Sequence, residues 1–214
     1  MLSVSNPAQL QQLRTGDRLK YHGVEWQITD YSTYDDPYGY ETTEWLLRSK
    51  GGNEYYLLRE FDPQNPESIV NWYLAEELTN PSIFQPNSQE NLVPYIWQDM
   101  QEQKEPYPEL QLFGKVYRFE SQTQGNYEGD EDQSIRTTWD YWDLEHQRNL
   151  ALEAWSNGQL HVYSTKVVKP QEFSDIQKEG ISSEINRRLS SFPIWEFFGA
   201  LALISIGTLM MIFG

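Results

Sequence analysis

The stretch Asp17-Arg18-Leu19-Lys20-Tyr21-His22-Gly23-Val24-Glu25-Trp26-Gln27-Ile28-Thr29-Asp30-Tyr31 decides the fold class. Val24, Trp26 and Ile28 alternate with Glu25, Gln27 and Thr29. Period two in β-branched and aromatic residues marks a strand with one face in a core and the other toward water. His22-Gly23 separates the two runs as a tight turn, so Asp17 to Tyr31 reads as a β-hairpin.

Working outward, Asn6-Pro7 reads as a helix N-cap with proline at the first helical position. Leu10 and Leu13 then give a short helix ending before Thr15-Gly16. Downstream, Tyr31 to Gly39 reads as a polar, tyrosine-rich loop. Tyr40 to Arg48 and Glu54 to Glu60 pair around Gly51-Gly52-Asn53, and Asn71 to Leu78 adds a strand. Asn80 to Pro108, with Pro81, Pro86, Pro94, Pro106 and Pro108, reads as a connector ordered in patches such as Tyr95-Ile96-Trp97. Strands resume over Leu112 to Glu120, Ile135 to Leu144, Asn149 to Trp155 and Leu160 to Tyr163, with Asn157-Gly158 as a hairpin turn. Thr42-Thr43-Glu44-Trp45-Leu46-Leu47 and Thr137-Thr138-Trp139-Asp140-Tyr141-Trp142 each open a long strand after a polar loop. Two tandem β-meanders would produce that echo. The expected fold is mainly β and antiparallel, the meanders forming a sandwich or partly open barrels. Its divisions are a first β-rich half over 1–80, a connector over 81–110, a second β-rich half over 111–170, a juxtamembrane stalk over 171–192 and a membrane anchor over 193–214. Ile181, Ile185 and Leu189 give a narrow apolar stripe, which predicts a helical stalk over Glu172 to Leu189.

The anchor is read from Phe197 to Phe213, which carries no charged side chain. As a helix it is about 25 Å long, and Ile194 and Trp195 bring it near the roughly 30 Å thickness of bilayer hydrocarbon. Trp195 suits the lipid interface. Gly199, Ala202, Ser205 and Thr208 put small side chains along the helix, where another membrane helix can pack closely. Lys178, Arg187 and Arg188 precede the anchor and no cation follows it, which predicts a cytoplasmic main domain, at the plasma membrane or the stromal or cytosolic face of a photosynthetic membrane. Met1 to Gln12 has no basic region and no long apolar run, so it does not read as a secretory signal. The net charge is −16 and the mean hydropathy −0.70. That balance argues against nucleic acid as a partner. The chain has no cysteine, which removes disulfides, thiolate metal sites and cysteine nucleophiles.

Gly16-Asp17-Arg18-Leu19-Lys20-Tyr21 with Trp26-Gln27-Ile28, then Trp45-Leu46-Leu47 with Tyr55-Tyr56-Leu57-Leu58, resembles the bacterial domain of unknown function 4178 family. Trp139-Asp140-Tyr141, Leu152-Glu153-Ala154-Trp155 and the Asn157-Gly158 turn extend the resemblance, which covers roughly Leu13 to Phe173. The family's usual Trp-Asp-Glu-Tyr stretch is Thr43-Glu44-Trp45-Leu46 here. The resemblance implies curved antiparallel strands, bacterial origin and a setting in membrane stress or envelope maintenance. It brings no established reaction and no catalytic residues.

The residues add no catalytic or cofactor set. His22, His146 and His161 lack the spacing that puts two ligands on one helix face. Asp143 and Glu145 flank His146 closely, but strand neighbours point to opposite faces. Asp130-Glu131-Asp132 lacks the glycine and the late glutamate of a calcium loop and reads as a solvated loop. The rings are numerous (Trp 8, Tyr 14, Phe 9). Most belong to a small β core, whereas Tyr31, Tyr34, Tyr38 and Tyr40 sit in an acidic loop and are the candidates for a recognition surface. The expected function is that of a non-enzymatic, tail-anchored interaction protein. Its expected partners are membrane protein subunits or other proteins at the cytoplasmic face, and the lipid bilayer through its last helix. A membrane-stress sensor and an enzyme of unknown type are the alternatives.

Overall fold

The computed structural model describes residues 7–35, 41–61, 70–128 and 133–179. The elements in chain order are α1 (Pro7–Gln11), β1 (Arg18–Tyr21), β2 (Val24–Asp35), β3 (Glu41–Ser49), β4 (Glu54–Phe61), β5 (Asn71–Glu77), α2 (Val93–Gln101), β6 (Glu109–Leu112), β7 (Lys115–Glu128), β8 (Gln133–Trp142), β9 (Arg148–Trp155), β10 (Leu160–Val167), a 3-10 turn at Pro170–Glu172 and β11 (Phe173–Gln177). They fall into two compact units. One is the chain up to Glu76 with the return segment from Val167, and the other includes Glu77–Lys166.

In the first unit the strand order is β11-β1-β2-β3-β4-β5, and in the second it is β10-β9-β8-β7-β6. The structure is mainly β, and each pairing described within a unit is antiparallel. The strands of each unit follow one hydrogen-bonded order that does not return on itself, which corrects the expectation of a sandwich. A curled sheet encloses its own core when a helix closes the open side. In the first unit, alternate residues Trp26 and Ile28, Trp45 and Leu47, and Trp72 and Leu74 bury toward one face, and Leu10 and Leu13 from α1 and its exit join them. Trp45 stacks on Trp72 at 5.8 Å, and its Nε1 donates to the Leu13 carbonyl at 3.2 Å. In the second unit Tyr117, Trp139, Tyr141, Leu152 and Val162 form the equivalent face, closed by Ile96 and Met100 of α2. The proline-rich connector thus supplies a packed helix, with Pro94 in its first turn where a missing N–H costs nothing.

The echo between the halves is a structural repeat. Trp45 faces Leu57 and Leu57 faces Leu74, while Trp139 faces Leu152 and Leu152 faces Val162. Leu19 faces Trp26, and Leu110 faces Tyr117. Both second strands carry a bulge at the same step, between Ile28 and Asp30 and between Phe119 and Ser121. The matched turns are His22-Gly23 (φ 46° and 79°) and Phe113-Gly114 (φ 51° and 76°). The register therefore aligns Trp45 with Trp139, one residue away from the match of Thr42 with Thr137.

Three local expectations are corrected. Leu112 to Glu120 is not one strand, because the chain turns at Phe113-Gly114 between β6 and β7. The loop expected from Tyr31 is strand as far as Asp35, held by pairing with β3. The stalk helix expected from Glu172 is absent from its described part, where Phe173–Gln177 is β11. Phe173 buries against Tyr21 at 4.9 Å, and ladder bonds to β1 outweigh local helix preference. The rest of the expected stalk and the expected membrane anchor over 193–214 lie outside the described residues.

Gly16-Asp17 holds the first unit together across a long sequence distance. The buried Asp17 carboxylate accepts hydrogen bonds from the Arg14 N–H at 2.8 Å, the Lys178 ammonium at 2.8 Å and the Glu179 N–H at 2.9 Å. Gly16 has φ +98°, and a Cβ there would lie 1.9 Å from the Glu179 carboxylate.

Candidate functional site

Alternation along β8 sends Trp139 and Tyr141 into the second core and leaves Arg136, Thr138 and Asp140 on the opposite face. The ladder sets Thr138 beside Glu153 and Asp140 beside Ala151. On β10 it adds His161 beside Glu153, Tyr163 beside Ala151 and Thr165 beside Asn149. This polar face is buried: Asp140 is 0% exposed and Glu153 1%.

Asn149 donates its amide to Asp140 Oδ1 at 3.3 Å. Asp140 Oδ2, Asn149 Oδ1 and Thr165 Oγ1 have no hydrogen-bond partner among the described residues. Burial pushes the Asp140 carboxyl up to about 8, with the Asn149 bond opposing. Arg136 Nη1 lies 3.2 Å from Glu153 Oε2, both side chains sealed from solvent. Burial still pushes Glu153 up to about 7, because losing water outweighs the opposing pull of Arg136 and His161. At the rim, His161 Nδ1 meets Glu77 Oε1 at 2.7 Å, and that hydrogen bond raises the imidazole above its ordinary value. Burial thus raises two carboxyls on this face, neither of which meets solvent.

The first unit carries a related arrangement. Glu44 on β3 is buried across from Ser32 on β2. Burial raises its carboxyl well above the usual range, the Asp30 charge adds to that, and the Ser32 hydroxyl opposes it. Burial also raises the Tyr73 phenol, with further contributions from Glu60.

The other histidines also meet glutamates. His146 Nε2 is 2.5 Å from Glu120, the extra residue of the β7 bulge, and His22 Nε2 is 3.3 Å from Glu172. The Asp143 considered beside His146 instead organises the turn, its carboxylate accepting the Gln147 and Arg148 N–H groups at 2.7 and 3.0 Å. No group of three or more His, Asp or Glu able to hold a metal occurs among the described residues. An open groove beside β6, lined by Gln85, Pro86, Pro108, Glu109, Arg118 and Phe119, contains the exposed Arg118–Glu109 pair at 3.0 Å.

Of the tyrosines expected at a recognition surface, Tyr31 lies against the first core, 6.0 Å from Trp45, with the Arg14 guanidinium 4.5 Å from its ring centre. Tyr34 is placed only by its backbone, opposite Thr42, and Tyr38 and Tyr40 lie outside the described residues. So do Trp195, Gly199, Ala202, Ser205, Thr208 and Asp130-Glu131-Asp132. No helix among the described residues is long and apolar enough to cross a membrane.

Asp140, Asn149 and Glu153 did not emerge from the sequence reading, which took alternating polar residues as water-facing. The signal was present in β9, where Ala151 and Trp155 share the polar face and both faces bury. A strand apolar on both sides is covered on both sides.

These features define an antiparallel β protein of two matched meanders with buried ionisable faces. The chain belongs to the family described as Domain of unknown function (DUF4178), whose model matches residues 14–170. No curated protein and no solved structure matches the chain.

Proposed function

We propose that the chain is a non-enzymatic, tail-anchored membrane protein that presents its acidic β-domain to protein partners during assembly or maintenance of a membrane complex. One observation carries the reading: the groups best suited to chemistry are engaged within the fold. Each histidine lies beside a glutamate, Glu153 faces Arg136, and Asp140 is sealed from solvent. A surface is then what remains to act, and a charge of −16 disfavours nucleic acid while leaving basic protein patches as complementary partners. The test is purification of the full-length chain in mild detergent, with a form cut before Pro193 as control. Specific membrane subunits should accompany the full chain. Recovery of a free monomer from both preparations would count decisively against the proposal.

The buried carboxyls favour one second reading, a regulator that senses conditions at the membrane. Asp140 and Glu153 change charge near pH 8 and 7, so a modest shift in pH alters the charge inside the fold. That reading requires partner binding by the full-length chain to change steeply between pH 6.5 and 8.5. Constant binding across that interval removes it.

A further inference from the structure

Among the described residues, five large apolar side chains are left in water: Val24 (49% exposed) beside the first unit's His22-Gly23 turn, Tyr95 (50%) on α2, and three that gather at one end of the second meander. Phe113 is 74% exposed in the β6–β7 turn, Leu144 is 70% exposed in the β8–β9 turn, and Val116 at the start of β7 is 40% exposed. Continuing the register that pairs Arg118 with Trp142 sets Val116 opposite Leu144. Leu112 faces Lys115, so Phe113 stands at the tip of the adjoining hairpin. The three side chains therefore belong to neighbouring tips.

The repeat supplies an internal control. His22 in the first unit occupies the turn position of Phe113. Glu25 precedes Trp26 as Val116 precedes Tyr117, and Lys50 follows Trp45 at the same interval as Leu144 follows Trp139. In the first unit these positions carry an ion pair, Lys50 to Glu25 at 3.0 Å, and an imidazole. The turn geometry therefore does not demand apolar residues. Phe113 also adopts φ 51°, where a bulky L side chain is strained and asparagine or glycine would sit more easily. The same positive φ at His22 shows that the strain belongs to the turn, so it is the exposure of three apolar side chains on neighbouring tips that favours contact with an apolar phase.

We propose that the tips bearing Phe113, Val116 and Leu144 insert into the interfacial layer of the lipid bilayer. The contact rests on the reading of residues 193–214 as a membrane segment. Three side chains fall well short of the roughly 800 Å² per partner of a standard protein interface. A tethered domain needs far less, because the tether makes the second contact intramolecular. The chain from Glu179 to Pro193 reaches at most about 50 Å when fully extended, which bounds how far the bilayer lies from Glu179. Lys115 is exposed between Phe113 and Val116, where an ammonium can meet lipid phosphate, while exposed Glu145 offsets its charge. The contact is therefore led by apolar burial and suits zwitterionic lipid.

Because the chain has no cysteine, one introduced thiol can carry an environment-sensitive fluorophore. Full-length Leu144→Cys, Lys50→Cys and Leu203→Cys proteins would be labelled and reconstituted in phosphatidylcholine vesicles with and without brominated lipid. The label at 144 should shift to the blue and lose at least about half its emission to bromine, while that at 50 stays water-like. Adding Phe113→Asp to Leu144→Cys should restore most of the emission at 144. Quenching at 203 without quenching at 144 overturns the tip contact and leaves the anchor standing. Absence of quenching at both overturns the contact together with the anchor. A label at 144 that shifts to the blue without bromine quenching lies against protein and also overturns the lipid assignment.

Discussion

Replacing Asp140 with asparagine removes one ionisable group from the buried face of β8 while keeping its shape. The native carboxyl titrates near 8, against 3.8 for the unperturbed group. Between those values the folded chain holds a proton that the unfolded chain has released, so the unfolded state binds fewer protons. Stability from this group is complete below about 4, falls as pH rises and levels off above about 8. At about 1.4 kcal/mol per unit, the part between pH 5 and 8 is about 4 kcal/mol. Asparagine stays neutral throughout and can donate toward the unpartnered Asn149 Oδ1. Urea unfolding of the full-length wild-type and Asp140→Asn chains in one detergent, at half-unit steps from pH 5 to 9, reads the difference directly. Glu153 contributes a slope to both curves, and its charge also raises Asp140, so their separation reads Asp140 together with that coupling. The advantage of the variant over wild type should widen by about 4 kcal/mol between pH 5 and pH 8.5. Parallel curves would refute the assignment of a protonated, buried Asp140.

Arg136→Ala strips Glu153 of its buried guanidinium, so its cost in urea unfolding should be small near pH 5 and grow as pH rises through about 7, towards about 3–5 kcal/mol, most of it recovered when Glu153 also becomes methionine. An unrecovered loss would mean that Arg136 acts by packing alone. Gly16→Ala forces a φ of +98° on an L side chain, while the flexible Glu179 carboxylate can swing aside, so it should cost about 1 kcal/mol and lower the thermal midpoint by at least about 2 °C. Asp17→Ala releases Lys178 and the Glu179 N–H, and trypsin should then cut after Lys178 several-fold faster in native buffer. Unchanged cleavage would show that this segment is held by other contacts.

The strands were legible where one face is wet. Val24 to Ile28 alternates, and β2 begins at Val24. The hairpin at His22-Gly23 was legible for the same reason, but its counterpart was not. Phe113 conceals the turn at Phe113-Gly114, because an aromatic residue at positive φ is not a turn signal. β11 was hidden by its partner's distance: Phe173 pairs with Tyr21, a contact no local window contains. The buried acids were hidden by the assumption that charge faces water. Asp140 and Asn149 look like solvent residues until Ala151 and Tyr163 are placed on the same face. The recognition tyrosines were chosen by loop position, yet Tyr31 lies on a strand against Trp45.

The grip of Asp17 on Lys178 and Glu179 acts like the strain relief on a cable. Tension drawn along the departing polypeptide loads an ion pair and a main-chain bond before it can peel β11 from β1. A pull on the chain beyond Glu179 meets that knot first, and the terminal strand keeps its register.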